Sequence, residues 1–83
     1  MGQELTIRVQ FAYDPTIVTD QFPNARIIEN TAEGVIVEFI SQDTPGLKRW
    51  LLSQADALTV LSPATLVEDM KNFLKRMQQN YDK

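Results

Sequence analysis

The sequence predicts a small α+β domain in which helices pack against a four-stranded sheet. Segment 5–11 alternates strictly between apolar and polar residues, three proline-containing helix-start signals follow strand-like segments, and the elements come in the order β-α-β-β-α-β-α. At 83 residues, with no linker, repeat or low-complexity stretch, the chain has the length of one domain. We therefore predict that residues 1–83 form a single domain.

Segment 5–11 predicts the first strand because apolar and polar residues alternate along it without a break. Its predicted inner face carries Leu5, Ile7, Val9 and Phe11, and its outer face carries Thr6, Arg8 and Gln10. Asp14 and Pro15 then predict a helix start, since an N-cap residue precedes a proline whose fixed φ suits the first helical position. Pro23 is expected to end this short helix.

Residues 26–30 predict a second strand with mixed faces, which suits the edge of a sheet, and Glu33 and Gly34 predict a turn. The third strand is predicted at residues 35–40. Its two faces carry Val35, Val37 and Phe39 on one side and Ile36, Glu38 and Ile40 on the other.

Asp43, Thr44 and Pro45 repeat the start signal and open a second helix. Its predicted buried stripe is Leu47, Trp50, Leu51 and Ala55. Residues 58–61 predict a short fourth strand, after which Ser62 and Pro63 are expected to start a long third helix in the same way. The apolar positions of that helix are Leu66, Met70, Phe73, Leu74, Met77 and Tyr81. We interpret Met70, Phe73 and Met77 among them as core rather than as a partner-binding groove.

Two βαβ-type halves of this length predict a split βαβ sheet, the ferredoxin-like arrangement, with one additional C-terminal helix. Right-handed crossovers place the strands in the order 4-1-3-2 with two helices on one face. This order makes the two cleanly alternating strands central and leaves the mixed second strand and the short fourth strand at the edges. The hydrophobic pattern and the topology therefore agree.

The outer face of the predicted sheet holds the candidate partner-binding residues, which are Arg8, Ile36, Glu38 and Ile40. Arg8 and Glu38 can form a cross-strand ion pair. The two isoleucines do not suit a fully hydrated face. Either the third helix folds back over them, or another domain or a second copy of the chain covers them, or they are exposed without a role, and the sequence leaves these alternatives open.

The composition argues against an enzyme. Cysteine and histidine are absent, which excludes disulfides, thiolate nucleophiles, Cys/His zinc sites and imidazole-dependent triads. We expect no catalytic residues, no metal site and no cofactor. Eight basic against eleven acidic residues give a net charge of −3, which predicts poor binding to duplex DNA. With no signal peptide and no apolar run that could cross a bilayer, we expect a cytoplasmic protein without a membrane partner.

Two functions that use this topology are not supported by the residues. In an RNA-recognition domain, a basic residue and a glycine are followed by aromatic residues that stack on bases. Here Glu33 precedes Gly34, and the stacking positions are aliphatic. An acylphosphatase-like site needs an anion cradle with an arginine at the first strand–helix turn. Segment 11–15 has neither glycine nor arginine, and Asp14 would repel a phosphate.

Several pieces in one order carry a family resemblance. They are the strand 7–11, the Phe22–Pro23 helix end, the Glu33–Gly34 turn, the helix segment 47–52 with its Trp-Leu-Leu sequence, the short strand 58–61, and the helix start from Pro63 to Leu66. In this order, residues 5–77 resemble the WCX domain, the C-terminal extension that follows the WYL domain in bacterial helix-turn-helix transcriptional regulators.

The resemblance implies a regulatory and dimerisation module that supports effector sensing and oligomer assembly in a bacterial transcriptional regulator. Its implied partners are the WYL domain and the helix-turn-helix of the same full-length protein, which is expected to be a homodimer. The chain would then be the C-terminal fragment of that regulator, and residues 1–3 are candidates for an added start. The candidate effector contacts are Arg26, Lys48 and Arg49.

Two other functions stay open. An ACT-like domain shares this topology and binds small molecules between paired subunits, although the turn at residues 12–15 lacks the glycine that such sites usually use. In a third hypothesis, the domain contacts a single-stranded nucleic acid effector directly through Arg8, Arg26, Lys48 or Arg49.

Overall fold

The computed structural model describes residues 3–82 and places a four-stranded antiparallel sheet against three α-helices. The strands are β1 (Glu4–Phe11), β2 (Arg26–Thr31), β3 (Gly34–Gln42) and β4 (Leu58–Ser62). The helices are α1 (Thr16–Gln21), α2 (Pro45–Ser53) and α3 (Ala64–Tyr81), and a 3-10 turn (Ala55–Ala57) joins α2 to β4. The predicted α+β class with its C-terminal helix is confirmed. Of the candidate added residues, Met1 and Gly2 lie outside the described residues.

The sheet order is β2-β3-β1-β4, which is the predicted order 4-1-3-2 seen from the other edge. Each neighbouring pair is antiparallel. β1 and β3 pair without a register shift, from Glu4 opposite Gln42 to Phe11 opposite Val35. The outer pairs β2–β3 and β1–β4 each contain one register shift. The two alternating strands are therefore central, as the sequence pattern predicts.

The core lies between the sheet and the helices. β1 and β3 each contribute every second residue, because successive side chains of a strand point to opposite faces. The buried apolar residues are Ile7, Val9, Phe11, Val37, Phe39 and Leu58 from the sheet and Val18, Leu47, Leu51 and Leu66 from the helices. Burying one such side chain contributes roughly 1.5–3 kcal/mol. Each helix is thus held to the same side of the sheet by at least one of these residues.

Trp50 packs at the margin of this core. Phe22 stacks on Phe39 with the ring centroids 3.9 Å apart, and Trp50 meets Phe22 edge-on at a centroid distance of 5.1 Å. Aromatic pairs in these geometries stabilise a fold beyond the area they bury. Trp50 is therefore a packing residue, as its helical spacing predicts.

The three predicted helix starts differ in detail. Thr44 caps α2 as predicted, since its Oγ1 accepts a hydrogen bond from a backbone N–H of the first turn at 3.1 Å. At α1 the N-cap is Pro15, and Asp14, one residue earlier, accepts a hydrogen bond from the N–H of Thr16 at 3.0 Å. At α3 the prediction of a serine cap is wrong: β4 extends one residue further than predicted and includes Ser62, and no side chain caps the helix.

The predicted apolar stripes of α2 and α3 are too long. α2 ends at Ser53, so Ala55 is exposed in the 3-10 turn, where its φ is 56°. In α3, Leu66 is buried and Met70 packs against the core. The stripe residues Leu74, Met77 and Tyr81 are exposed. The core interpretation is therefore confirmed for Met70 and wrong for Met77, because only the first turns of a helix about 27 Å long reach the core.

Gly34 allows the β2–β3 turn to pass close to the end of β1. Its φ is +144°, which L residues rarely adopt, and a Cβ at this position would collide with the carbonyl group of Phe11. Glycine is required here for both reasons. The predicted turn is confirmed at Ala32 and Glu33, with Gly34 as the first residue of β3.

Candidate functional site

The side of the sheet opposite the helices has β1 and β3 at its centre. The register places three pairs of outward residues across these strands, Thr6 with Ile40, Arg8 with Glu38, and Gln10 with Ile36. The four candidate partner-binding residues therefore lie side by side. We call the surface formed by these six residues and Arg26 of β2 the open face.

Glu38 is the centre of an ionic network that spans three strands. Its Oε2 accepts a hydrogen bond from Nε of Arg8 at 2.9 Å, and its Oε1 accepts one from Nη2 of Arg26 at 2.8 Å. The register explains both contacts, because Glu38 lies opposite Arg8 on one side and opposite Arg26 on the other. The cross-strand pair that the sequence suggests is formed, and the contact of Arg26 is an addition that the mixed pattern of β2 did not reveal.

The network determines the charge of the open face. The hydrogen bonds from Arg26 and then from Arg8 hold the pKa of Glu38 below its ordinary value. Glu38 is therefore ionised at neutral pH, and one carboxylate with two guanidinium groups leaves a net charge of about +1 at the centre of the face. Both arginine side chains are exposed, so the network is hydrated.

Neutral hydrogen bonds fix the rim of the open face. Nε2 of Gln10 donates to Oγ1 of Thr31 at 3.2 Å. The amide of Asn24 accepts from the backbone N–H of Ile40 at 2.8 Å and donates to its carbonyl oxygen at 3.0 Å, which extends the pairing of β3 beyond the start of β2. Sequence reasoning missed Asn24 and Thr31, because long-range contacts of turn residues and strand ends have no periodic signal.

The helices leave the open face uncovered. Ile40 is 43% exposed and Ile36 is half-buried. α3 joins the core through Leu66, which lies on the other side of the sheet together with Leu47 and Leu51 of α2. For residues 3–82, the alternative in which the third helix folds back over the isoleucines is therefore wrong.

The predicted effector contacts do not form one cluster. Arg26 lies on the open face, whereas Lys48 and Arg49 belong to α2 on the opposite side of the sheet. Lys48 lies between two carboxylates, with its Nζ 3.2 Å from Oδ2 of Asp69 in α3 and 3.4 Å from Oδ1 of Asp43. The hydrogen bond to Asp69 is the main cause that raises the pKa of Lys48. This lysine therefore joins α3 to the start of α2.

These ion pairs limit what the basic residues can bind. Arg8, Arg26 and Lys48 each already contact a carboxylate. A phosphate group would have to displace that carboxylate or add to the pair, and either process lowers the gain in free energy that drives the binding of nucleic acids. Arg8, Arg26 and Lys48 are therefore less available to a phosphate than unpaired basic side chains would be.

A groove lies on the helical side, between the end of α2, strand β4 and the first half of α3. Its volume is about 500 Å³, and its apolar lining includes Leu51, Leu52, Val60, Val67, Met70 and Leu74. We call it the α2–α3 groove. Sequence reasoning missed it, because the residues that line it share the helical periodicity of core residues.

The comparison with known protein families identifies the chain. The model of the WCX domain matches residues 3–78. The chain belongs to the WCX family. Membership confirms the resemblance seen in the sequence and supports a regulatory-domain role in general for this WCX domain. No curated protein and no solved structure matches the chain.

Two further properties of the WCX domain concern residues 3–82. No group of three or more Asp and Glu side chains in this part is placed to hold a metal ion. None of the three helices has the length and the apolar character needed to cross a bilayer.

Proposed function

We propose that this WCX domain is a non-catalytic regulatory and assembly module of a cytoplasmic bacterial transcription factor. It docks through the open face on the WYL domain of the same homodimeric regulator and transmits effector state to a helix-turn-helix. We also propose that its sheet has the ferredoxin-like split βαβ arrangement. The observation that carries it is an uncovered sheet face in a chain that the family matches over most of its length.

The open face has the composition of a docking surface. Ile36 and Ile40 supply apolar area, and covering such area contributes about 25 cal/mol for each Å² removed from water. The network of Glu38 lies between them and supplies directional groups that fix the orientation of a partner. Apolar contacts with a few polar groups are typical of protein interfaces.

The charge distribution suits a domain that leaves DNA binding to another part of the regulator. The net charge is −3, and three of the seven basic side chains within residues 3–82 are held by carboxylates. Binding of duplex DNA requires several lysines or arginines that are available for phosphates. A role in assembly is compatible with this surface.

The test is the binding of this chain to the remainder of its regulator, a protein with the WYL domain and the helix-turn-helix, measured by isothermal titration calorimetry. We expect Ile40→Glu to raise the Kd at least tenfold, because it introduces a charge on the open face. Ile27→Glu is the matched control: Ile27 is 52% exposed on the edge strand β2, opposite Val37, whose side chain is in the core on the helical side. This variant should bind within twofold of the wild type.

Lack of binding by the wild-type chain at several hundred micromolar would contradict the proposal, as would an equal loss in both variants. The ACT-like alternative makes a different prediction. A screen of amino acids and nucleotides would then give a large, saturable rise in Tm with one metabolite, with no need for the rest of the regulator.

A further inference from the structure

The second half of α3 carries apolar side chains that the domain does not cover. We call residues 71–82 the distal segment. Leu74, Met77 and Tyr81 lie at spacings of three and four, which places them on one side of the helix. All three are exposed, and Tyr81 is 87% exposed. An isolated tyrosine at this exposure is ordinary, but a stripe of three indicates an interaction surface.

This stripe continues directly from the α2–α3 groove. Val67 and Met70 line the groove, Leu74 belongs to both the groove and the stripe, and Met77 follows one turn later. One chain thus presents the apolar α2–α3 groove next to the exposed apolar stripe of the distal segment, which we call the ridge. Such a pair of surfaces is self-complementary under a two-fold axis, since each copy can place its ridge in the groove of the other.

The distal segment differs in charge from the rest of the chain. Residues 1–70 contain ten acidic and four basic side chains, whereas the distal segment contains three basic and one acidic. The groove lining carries one acidic and one basic side chain, Asp56 and Lys71, and Lys75 is exposed in the distal segment. A basic ridge that approaches an acidic body is attracted to it, although two copies of a chain with net charge −3 repel each other overall.

We propose that the distal segment of α3 binds in the α2–α3 groove of a second copy of this chain, and that two copies do so reciprocally. This inference rests on the assembly role proposed above and adds the surface and the partner. It differs from the docking of the open face, which lies on the other side of the sheet. The two contacts can therefore form at the same time.

The area of this contact is at the lower limit for a specific dimer. Covering a tyrosine removes ~150–250 Å² from water. Because a two-fold contact counts every residue twice, three ridge side chains and the groove lining come to a total on the order of 1,000 Å². We therefore expect a dimer that dissociates in the micromolar to millimolar range and that is strengthened when another contact holds the two copies together.

Sedimentation velocity of the 83-residue chain from 10 μM to 1 mM tests the inference. We expect a monomer–dimer equilibrium that stops at two 9.5 kDa chains. The double variant Leu74→Gln/Met77→Gln should raise the Kd at least tenfold. Both residues are exposed, so circular dichroism should show an unchanged fold.

Leu61→Gln is the matched control. Leu61 is 42% exposed, against 55% for Leu74, and it lies on β4 away from the groove lining. Its Kd should stay within twofold of the wild type. A monomer at 1 mM, an assembly that grows beyond two chains, or a dimer that the double variant leaves intact would each overturn the inference.

Two further outcomes separate this inference from the proposed function. If Ile40→Glu abolishes the dimer while the double variant does not, the copies meet at the open face and the inference is wrong, but the assembly role stands. If the chain stays monomeric and the double variant instead loses binding to the WYL-containing remainder, the groove belongs to that partner and the second copy is excluded. Failure of the Ile40→Glu test alone leaves the dimer of α3 unaffected.

Discussion

At Gly34 the backbone leaves no room for an added methyl group. We predict that Gly34→Ala lowers the free energy of unfolding by at least about 2 kcal/mol, because it combines a left-handed φ with a collision against Phe11. Urea denaturation followed by Trp50 fluorescence measures this loss.

Gly46→Ala is the control for that change. An added Cβ there has Oγ1 of Thr44 at 3.8 Å as its nearest neighbour, which is an ordinary contact, and the position is helical. We expect no loss, or a gain of up to about 1 kcal/mol. Equal losses in the two variants would show that the approach of Gly34 to Phe11 is not important.

Glu38 makes the stability of the domain sensitive to acid. Since the pKa of Glu38 is lower in the folded state than in the unfolded state, its contribution is complete above the unfolded value of 4.5 and is lost as the pH falls through the folded value. We predict that Glu38→Gln reduces stability at pH 7 and makes its decline below pH 4.5 less steep. Urea titrations at pH 7 and in this acidic range give both quantities.

Glu33→Gln, in the exposed turn between β2 and β3, is the matched change for this prediction. It should leave the acid dependence of stability unaltered. If Glu38→Gln keeps the pH slope of the wild type, the arginine contacts of Glu38 do not stabilise the fold.

The sequence reveals some contacts of these residues and not others. The pairing of Arg8 with Glu38 could be predicted, because strict alternation fixes the face of Arg8 in β1, and the apolar Val35, Val37 and Phe39 place Glu38 on the outer face of β3. The contact of Arg26 with Glu38 could not be predicted from the sequence. β2 is exposed along nearly its whole length, and its register with β3 shifts between Ile27 and Glu29. A pattern without a buried face leaves the register undetermined.

At the scale of elements, α3 is one helix with two environments. Leu66 is buried in the core and Leu74 is exposed. We predict that Leu66→Ala lowers the free energy of unfolding by about 2–5 kcal/mol, whereas Leu74→Ala changes it by no more than about 0.5 kcal/mol. Urea denaturation of both variants at low protein concentration, where the chain is monomeric, makes the comparison. A similar loss in both would mean that the second half of α3 packs on the domain.

The start signals of the helices show how far local sequence can predict elements. Proline marks the beginning of each helix, because it cannot continue a strand ladder or a preceding helix and has the φ that a first turn needs. The side-chain cap is formed as predicted only by Thr44, while Ser62 is used by β4. Competition between a cap and a strand depends on the partner strand β1, which is distant in sequence.

At the scale of the whole molecule, the strand order could be predicted because alternation identifies β1 and β3 as central and chain order then allows few topologies. The position of α3 could not be predicted from the sequence. Its apolar stripe would suit either side of the sheet, and the choice depends on Leu66 reaching the core and on the contact of Asp69 with Lys48. Helical periodicity also cannot separate a covered stripe from an exposed one, which is why the sequence predicts core at Met77, where the side chain is exposed.

The charged centre of the open face has a consequence for partner selectivity. A protein that covers the face must dehydrate one carboxylate and two guanidinium groups, and an apolar lid would leave an excess cation with no counterion in a medium of low dielectric constant. A partner protein with an aspartate or glutamate at this position would supply the missing negative charge. The two isoleucines could contact many apolar surfaces. The arginines would make binding specific, because a partner without a compensating carboxylate would leave a charge buried and unpaired.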